Sequence, residues 1–260
     1  MKNLTFTFVL LPLLALAQPQ FGISLKDSVS LNADTFWGAD NFGNFYFSKD
    51  ETLYKKTATQ LYTYYALSLG QLATVDLLNP LKITLFYKDF NTVVVLDNQL
   101  AEIERINLNT RKTFRVASYV TTGFERNLWL FNTDLQQLEL YNYAQDKTQA
   151  NTQPINKKVL AQVSNYNYCW LLTTNSLLQY NIYGSPTHEY PMTDASGLKR
   201  FQDTVVFRRG NDLFFYSSRF RDVFMLPKIS HSYEDFFITE STLYLYHNNQ
   251  VYIYLLKFQN

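Results

Sequence analysis

The side chains able to do chemistry are few and scattered in this 260-residue chain. An imidazole or thiol site would have to draw on His188, His231, His247 and the single cysteine, Cys169. The sequence contains neither a His-Glu-x-x-His pattern nor a paired-cysteine spacing, so no metal and no cofactor are expected. His188-Glu189 reads as part of a connector, and His231 precedes Tyr233-Glu234-Asp235 at the entry to a repeat; as a general base, either would need a positioned partner. Cys169 lies in Tyr168-Cys169-Trp170-Leu171-Leu172, a strand pattern that places a small apolar residue in the interior. No histidine is near it in sequence to favour the thiolate.

The acids Asp222 and Glu234-Asp235 are the residues a glycoside-cleaving carboxylate pair would use, but acids at turn entries are common and turn chemistry is the plainer reading. A Gly-x-Ser-x-Gly elbow, a phosphate loop and a dinucleotide fingerprint are all missing, and 8 glycines leave few places for backbone to approach a phosphate. No catalytic set is therefore assigned. Binding is easier to place. From Leu198 to Asp222 the chain carries Lys199, Arg200, Arg208, Arg209, Arg219 and Arg221 against Asp203, Asp212 and Asp222. Arginine pairs can grip carboxylate or phosphate with fixed geometry, although strand alternation can send neighbours to different faces and leave a solvated rim. The candidate binding residues are Arg208 and Arg209, together with Lys88 and Asp89 in a tight turn of the second repeat.

These residues need a scaffold, and the sequence supplies one by repetition. Six times a short apolar strand meets a polar turn and a second apolar strand: Phe45–Phe47 with Thr52–Tyr54, Leu85–Tyr87 with Val93–Leu96, Leu128–Phe131 with Leu138–Tyr141, Trp170–Leu172 with Leu177–Tyr180, Val205–Phe207 with Leu213–Tyr216, and Phe236–Ile238 with Leu243–Tyr246. Aligning Phe47, Phe86, Leu130, Leu171, Phe207 and Ile238 gives steps of about 39, 44, 41, 36 and 31 residues, near the four-strand period of a propeller blade. The chain is thus expected to be all-β, a six-bladed β-propeller. The first blade is traced through Asn44–Phe47, Thr52–Lys55, Leu61–Ser68 and Gln71–Leu77. The second runs through Ile83–Lys88, Thr92–Asp97, Glu102–Asn107 and Phe114–Tyr119. The fifth uses Thr204–Arg208, Asp212–Tyr216, Val223–Leu226 and a fragment near Ile229–Tyr233. The last copy has three strands, Asp235–Thr239, Leu243–His247 and Val251–Leu256, so Ile23–Leu31 is expected to return and close the ring. The polar stretch Ala144–Lys158 is expected to project as a loop, a place where recognition often sits.

Composition agrees. Aromatics make up 17% of the chain, with 20 Tyr and 21 Phe, residues suited to half-buried sheet surfaces. A net charge of +1 gives no electrostatic footprint for nucleic acid. Met1-Lys2, the apolar run Leu4–Leu16 and the site Ala15-Leu16-Ala17 read as a cleaved signal peptide, residues 1–17, ahead of one propeller domain, residues 18–260. No later stretch of about 18 apolar residues offers a membrane span. An outer-membrane barrel would need strands of about 9 to 11 residues, whereas turns such as Ser48-Lys49-Asp50-Glu51 and Arg208-Arg209-Gly210-Asn211 interrupt the strands after about five.

The second repeat opens on Asn79-Pro80-Leu81-Lys82-Ile83 and continues through Phe86-Tyr87-Lys88-Asp89-Phe90-Asn91 to Leu96-Asp97-Asn98. Over Asp76–Asn98 the chain resembles an uncharacterised group of exported β-propeller proteins of Gram-negative envelopes that share the Asn-Pro-Leu-Lys blade start. The resemblance implies a propeller and an envelope setting, and carries no catalytic assignment. The resulting expectation is a non-catalytic interaction scaffold of the periplasm or outer envelope with a protein partner, of the kind found in an assembly or secretion complex. The alternative is a propeller that binds or acts on a glycan or small ligand in its central channel.

Overall fold

The computed structural model describes residues 20–218 and 220–259. The expected leader, residues 1–17, and Arg219 lie outside the described residues. A first long strand, β1 (Gln20–Ser30), precedes the regular repeat. Blade 1 is β2 (Thr35–Ala39), β3 (Phe45–Lys49), β4 (Thr52–Lys56) and β5 (Leu61–Tyr64); blade 2 is β6 (Thr74–Asp76), β7 (Ile83–Tyr87), β8 (Thr92–Leu96) and β9 (Glu102–Asn107). Blade 3 is β10 (Ala117–Thr122), β11 (Asn127–Asn132), β12 (Gln137–Asn142) and β13 (Lys147–Asn151); blade 4 is β14 (Val159–Ser164), β15 (Tyr168–Thr173), β16 (Ser176–Asn181) and β17 (Pro186–Pro191). Blade 5 is β18 (Ala195–Phe201), β19 (Thr204–Arg209), β20 (Asp212–Ser217) and β21 (Asp222–Met225). Blade 6 combines β22 (Asp235–Ile238), β23 (Thr242–His247) and β24 (Gln250–Gln259) with β1.

Each sheet is antiparallel, and the first strands β2, β6, β10, β14, β18 and β22 meet around the axis. The six-bladed propeller expected from the repeat is what the chain forms. The closure is also as expected: β1 pairs antiparallel with β24, Ile23 opposite Leu256 and Val29 opposite Val251. Both ends of the described chain are thereby tied into one blade, and the edge of β24 is covered.

The core explains why the repeat was visible. It is divided among the six interfaces between neighbouring blades. On β7, Ile83, Leu85 and Tyr87 pack toward blade 1, while Phe86 with Val93 and Val95 of β8 packs toward blade 3. Strand alternation therefore feeds two cores at once, so the middle strands read as continuous apolar runs. Trp129 and Cys169 share the interface of blades 3 and 4, and Trp170 lies between blades 4 and 5. Phe36, Phe45, Tyr244 and Tyr246 seal blade 6 against blade 1.

The strands group into blades one strand out of step with the expected frame. The paired apolar strands are the second and third of blades 1 to 5, and each blade starts with an inner strand upstream of them. Thus Gln71–Leu77 contains β6, the inner strand of blade 2, and Phe114–Tyr119 runs into β10, the inner strand of blade 3. In the last copy the matched pair is instead the first and second strand, β22 and β23, which accounts for the short final step in the repeat. The segment Ile229–Tyr233 is not a strand; the strand that completes blade 5 is its inner one, β18, and β21 is its outermost. Ala144–Lys158 is not a projecting loop, because residues 147–151 form β13. Its polar composition is that of an outermost strand, where side chains alternate between exposed and half-buried. The same reasoning moves His188 out of a connector and into the outer strand β17.

Candidate interaction face and central channel

The winding of each blade sorts its turns between two ends of the ring. Turns joining the first strand to the second, and the third to the fourth, lie at one end, here the hairpin face. Turns joining the second strand to the third lie at the other, the connector face, beside the passages from blade to blade.

On the hairpin face, four successive blades present an apolar residue at the first turn. Phe42 in blade 1 is 80% exposed, Leu81 in blade 2 is 65%, Phe124 in blade 3 is 55% and Tyr166 in blade 4 is 37%. The corresponding turns of blades 5 and 6 carry Gln202-Asp203 and Glu240-Ser241 instead. Phe124 and Tyr166 touch edge to face, with ring centroids 6.0 Å apart. Together with Asn79, Lys82 and Arg126 they line one open groove across blades 2 to 4.

Local hydrogen bonds hold these turns in shape. Asp40 Oδ1 accepts from the amides of Phe42 and Asn44, both at 3.0 Å, while its Oδ2 accepts from Asn44 Nδ2 at 2.8 Å and Tyr46 Oη at 3.1 Å. Asn79 Oδ1 accepts from the Leu81 amide at 3.0 Å, with Pro80 fixing φ between them. Asn165 Oδ1 accepts from the amides of Asn167 at 2.9 Å and Tyr168 at 2.7 Å, and its Nδ2 donates to Asp203 at 2.9 Å. Lys82 donates to the Glu125 carbonyl at 2.5 Å and lies 5.2 Å from the centroid of the Tyr143 ring. Burial, and then the neighbouring Arg126 charge, hold the Lys82 ammonium below the usual lysine range, and burial pushes Tyr143 up to about 12.

The central channel encloses a cavity of about 230 Å³ to which all six inner strands contribute. Its walls are mainly apolar, with Trp37, Val75, Tyr119, Leu198 and Phe237 among them. Asp76 spends both carboxylate oxygens on backbone amides, Leu78 at 2.9 Å and Thr122 at 2.6 Å. Lys199 pairs with Asp235 at 3.3 Å. Arg200 is half-buried, lines both this cavity and a smaller one opening toward the hairpin face, and has no hydrogen-bond or ion-pair partner among the described residues.

The candidate binding residues do not come together. Lys88 and Asp89 occupy the exposed β7–β8 turn of blade 2, whereas Arg208 and Arg209 end β19 in blade 5. Both places are on the connector face, but three blades apart in a ring of six, hence on opposite sides. Arg208 donates to the Glu234 carbonyl at 3.1 Å, and Arg209 stacks over Phe207 and Phe214. Of the basic stretch, Lys199 and Arg200 reach the channel while Arg208 and Arg209 stay at the rim. The acids weighed for glycoside cleavage have local partners: Asp222 accepts from Tyr190 Oη at 3.2 Å, Glu234 faces His247 at 3.2 Å and Asp235 holds Lys199. Cys169 is fully buried, and that burial raises its thiol well above the ordinary range. Among the described residues, no group of three or more His, Cys, Asp or Glu side chains is placed to hold a metal ion.

Sequence reasoning passed over Phe42, Phe124 and Tyr166, and treated Arg200 as one charge in a run. A signal was available: Asp40, Asn79 and Asn165 each open a short polar turn that nonetheless contains a large apolar side chain.

The class is that of the β-propellers, and the comparisons agree at the level of fold. A chain of the mitotic checkpoint complex superposes with a TM-score of 0.61 at 8% identity, covering 98% of each chain. Virginiamycin B lyase from Staphylococcus aureus gives 0.60 at 10% identity, over 91% of this chain and 99% of the other. The Pan2 WD40 domain from Neurospora crassa gives 0.57 at 9% identity, over 86% of this chain and 74% of the other. At such identities the likeness is one of architecture, which hosts both enzymes and scaffolds. No protein-family model matches the chain, and no curated protein matches it in sequence.

Proposed function

We propose that this propeller is an interaction scaffold of the bacterial envelope, exported by its N-terminal leader, that binds a protein partner across the hairpin face without turnover. The observation that carries this reading is the arc Phe42, Leu81, Phe124 and Tyr166, four exposed apolar side chains on consecutive blades. Scattered exposed apolar residues are ordinary, but apolar residues at the same turn of four consecutive blades, with polar ones at that turn in the other two and a further exposed ring, Tyr183, on the same face in blade 4, are the pattern of an interaction site. The Asx-pinned turns matter because side chains displayed on a fixed backbone lose less freedom on binding. The partner that fits is a protein segment laying an apolar strip over blades 1 to 4, with its polar edge toward Gln202-Asp203 and Glu240.

The test places a photo-crosslinking amino acid at Phe42, Leu81, Phe124 or Tyr166 in turn, in intact cells, with Lys88 and Phe90 on the connector face as the contrast. One common partner captured from the hairpin-face positions, and lost when Phe42, Leu81 and Phe124 are changed to Ser in an equally stable protein, is the expected result. Capture from Lys88 or Phe90 alone would assign the wrong face. No common adduct from any position would remove the scaffold reading.

A further inference from the structure

We infer that the central channel binds a small monocarboxylate with an apolar body, held by Arg200. This goes beyond the scaffold reading and does not depend on it. A guanidinium always carries its charge, and one that is half-buried beside apolar walls is expected to have a partner. The carboxylates around it do not pair with it: Asp76 is held by the Leu78 and Thr122 amides, Asp235 by Lys199 and Asp40 by its own turn, while Glu240, on the smaller cavity, makes no ion pair with Arg200. Arg200 is therefore left as an unpaired cation on a wall whose apolar part includes Trp37, Val75, Leu198 and Phe237.

The ligand's other properties follow from the same walls. A cavity of about 230 Å³ falls below the roughly 300 to 1,000 Å³ of most small-molecule sites, so the ligand is small. One free guanidinium matches one carboxylate bidentately, whereas a dianionic phosphate would leave charge uncompensated among apolar side chains. Two buried polar atoms in the wall, Gln162 Oε1 and Thr74 Oγ1, have no partner among the described residues, which suits a ligand that also carries a donor. The smaller cavity beyond Arg200, lined by Asn41, Pro80, Gln202 and Glu240, gives a path in from the hairpin face.

The experiment is calorimetric titration of the mature protein with three probes of one shape family: phenylacetate, phenylacetamide and phenyl phosphate. Phenylacetate should bind, and the neutral amide should bind about tenfold or more weakly, the loss expected for one charge-assisted pair. Arg200→Met should reduce phenylacetate binding by a similar factor and leave phenylacetamide unchanged, with Arg200→Lys intermediate. The comparison of acid with amide uses the unaltered protein, so it stands even where a variant folds poorly. Equal binding of acid and amide, tighter binding of the phosphate, full affinity in Arg200→Met, or no saturation by phenylacetate at millimolar concentration would each overturn the assignment.

Discussion

Arg115 and Glu139 form a buried ion pair that ties the passage between blades 2 and 3 to the middle of blade 3, and removing the arginine should be severe. Arg115 is 2% exposed and Glu139 4%. Arg115 donates from Nε to Glu139 Oε2 at 2.9 Å, from Nη1 to the Thr113 carbonyl at 2.7 Å and from Nη2 to Thr148 Oγ1 at 3.0 Å. Its guanidinium also lies 4.3 Å from the centroid of the Tyr141 ring. Arg115→Met keeps most of the apolar stem but strands a buried carboxylate, whose remaining donors are the neutral Thr148 hydroxyl at 2.9 Å and Asn132 amide at 2.8 Å. Breaking a buried pair from one side costs about 3 to 5 kcal/mol. For a chain of this length that corresponds to a fall in Tm of roughly 6 to 20 °C. Urea unfolding followed by far-UV circular dichroism and by tryptophan fluorescence gives the value, and buried Trp129 reports from the same blade. The double variant Arg115→Met with Glu139→Gln should recover about 1 to 2 kcal/mol, because the neutral amide no longer buries a charge and still accepts from Asn132. A single-variant loss below about 1 kcal/mol, or a double variant whose losses simply add, would refute the view that an unpaired carboxylate is what makes the substitution costly.

Three further outcomes are expected. Gly38 sits at φ +143 with a would-be Cβ 2.3 Å from the Phe237 ring, at the seam of blades 1 and 6; Gly38→Ala should cost about 2 to 5 kcal/mol, and a loss under about 1 kcal/mol in urea unfolding would show that the seam yields. The Lys112 amide at 3.0 Å and the Tyr141 hydroxyl at 2.7 Å hold the Asp146 carboxyl below the usual carboxylate range. Its folded pKa is depressed, so its contribution is complete above the unfolded value near 4 and is lost as pH falls through the lower folded value. Asp146→Asn should therefore narrow its stability gap to the parent protein as pH drops from about 5 to about 2, and a gap that stays constant would remove Asp146 from the acid limb. Deleting residues 20–30 uncovers the β24 edge and should produce oligomers in size-exclusion chromatography; a stable monomer would mean that β24 needs no cover.

The sequence announced the fold through the strands that carry its energy. β7, β8, β11 and β15 are buried on both sides because each blade is packed between two others, and the polar turns between such strands mark the period. The inner strands are weaker signals. β6 has only three residues, all half-buried, and β2, β10, β14 and β18 each carry a break in register against the next strand, which disturbs the alternation a reader relies on. Assigning blades from the strong pairs alone therefore shifted the frame by one strand, although the ring closure through β1 was legible from the missing fourth strand.

That shift bears directly on function, because the inner strands and their first turns make both the channel and the hairpin face. Arg200 gained its meaning only when Ala195–Phe201 became an inner strand; in the sequence it stood beside Lys199 as one member of a basic run. Lys199 and Arg200 are adjacent, yet one pairs with Asp235 and the other is left in the channel wall, a difference set by which neighbour each meets across the ring. Phe42, Leu81, Phe124 and Tyr166 are far apart in the chain and share no motif; they become one surface because the first turn of every blade reaches the same end of the propeller. A repeat of this kind fixes where each turn goes while leaving its residues free to vary. The residues that depart from turn chemistry at those equivalent places, large and apolar in blades 1 to 4 and polar in blades 5 and 6, are what makes one side of the hairpin face differ from the other.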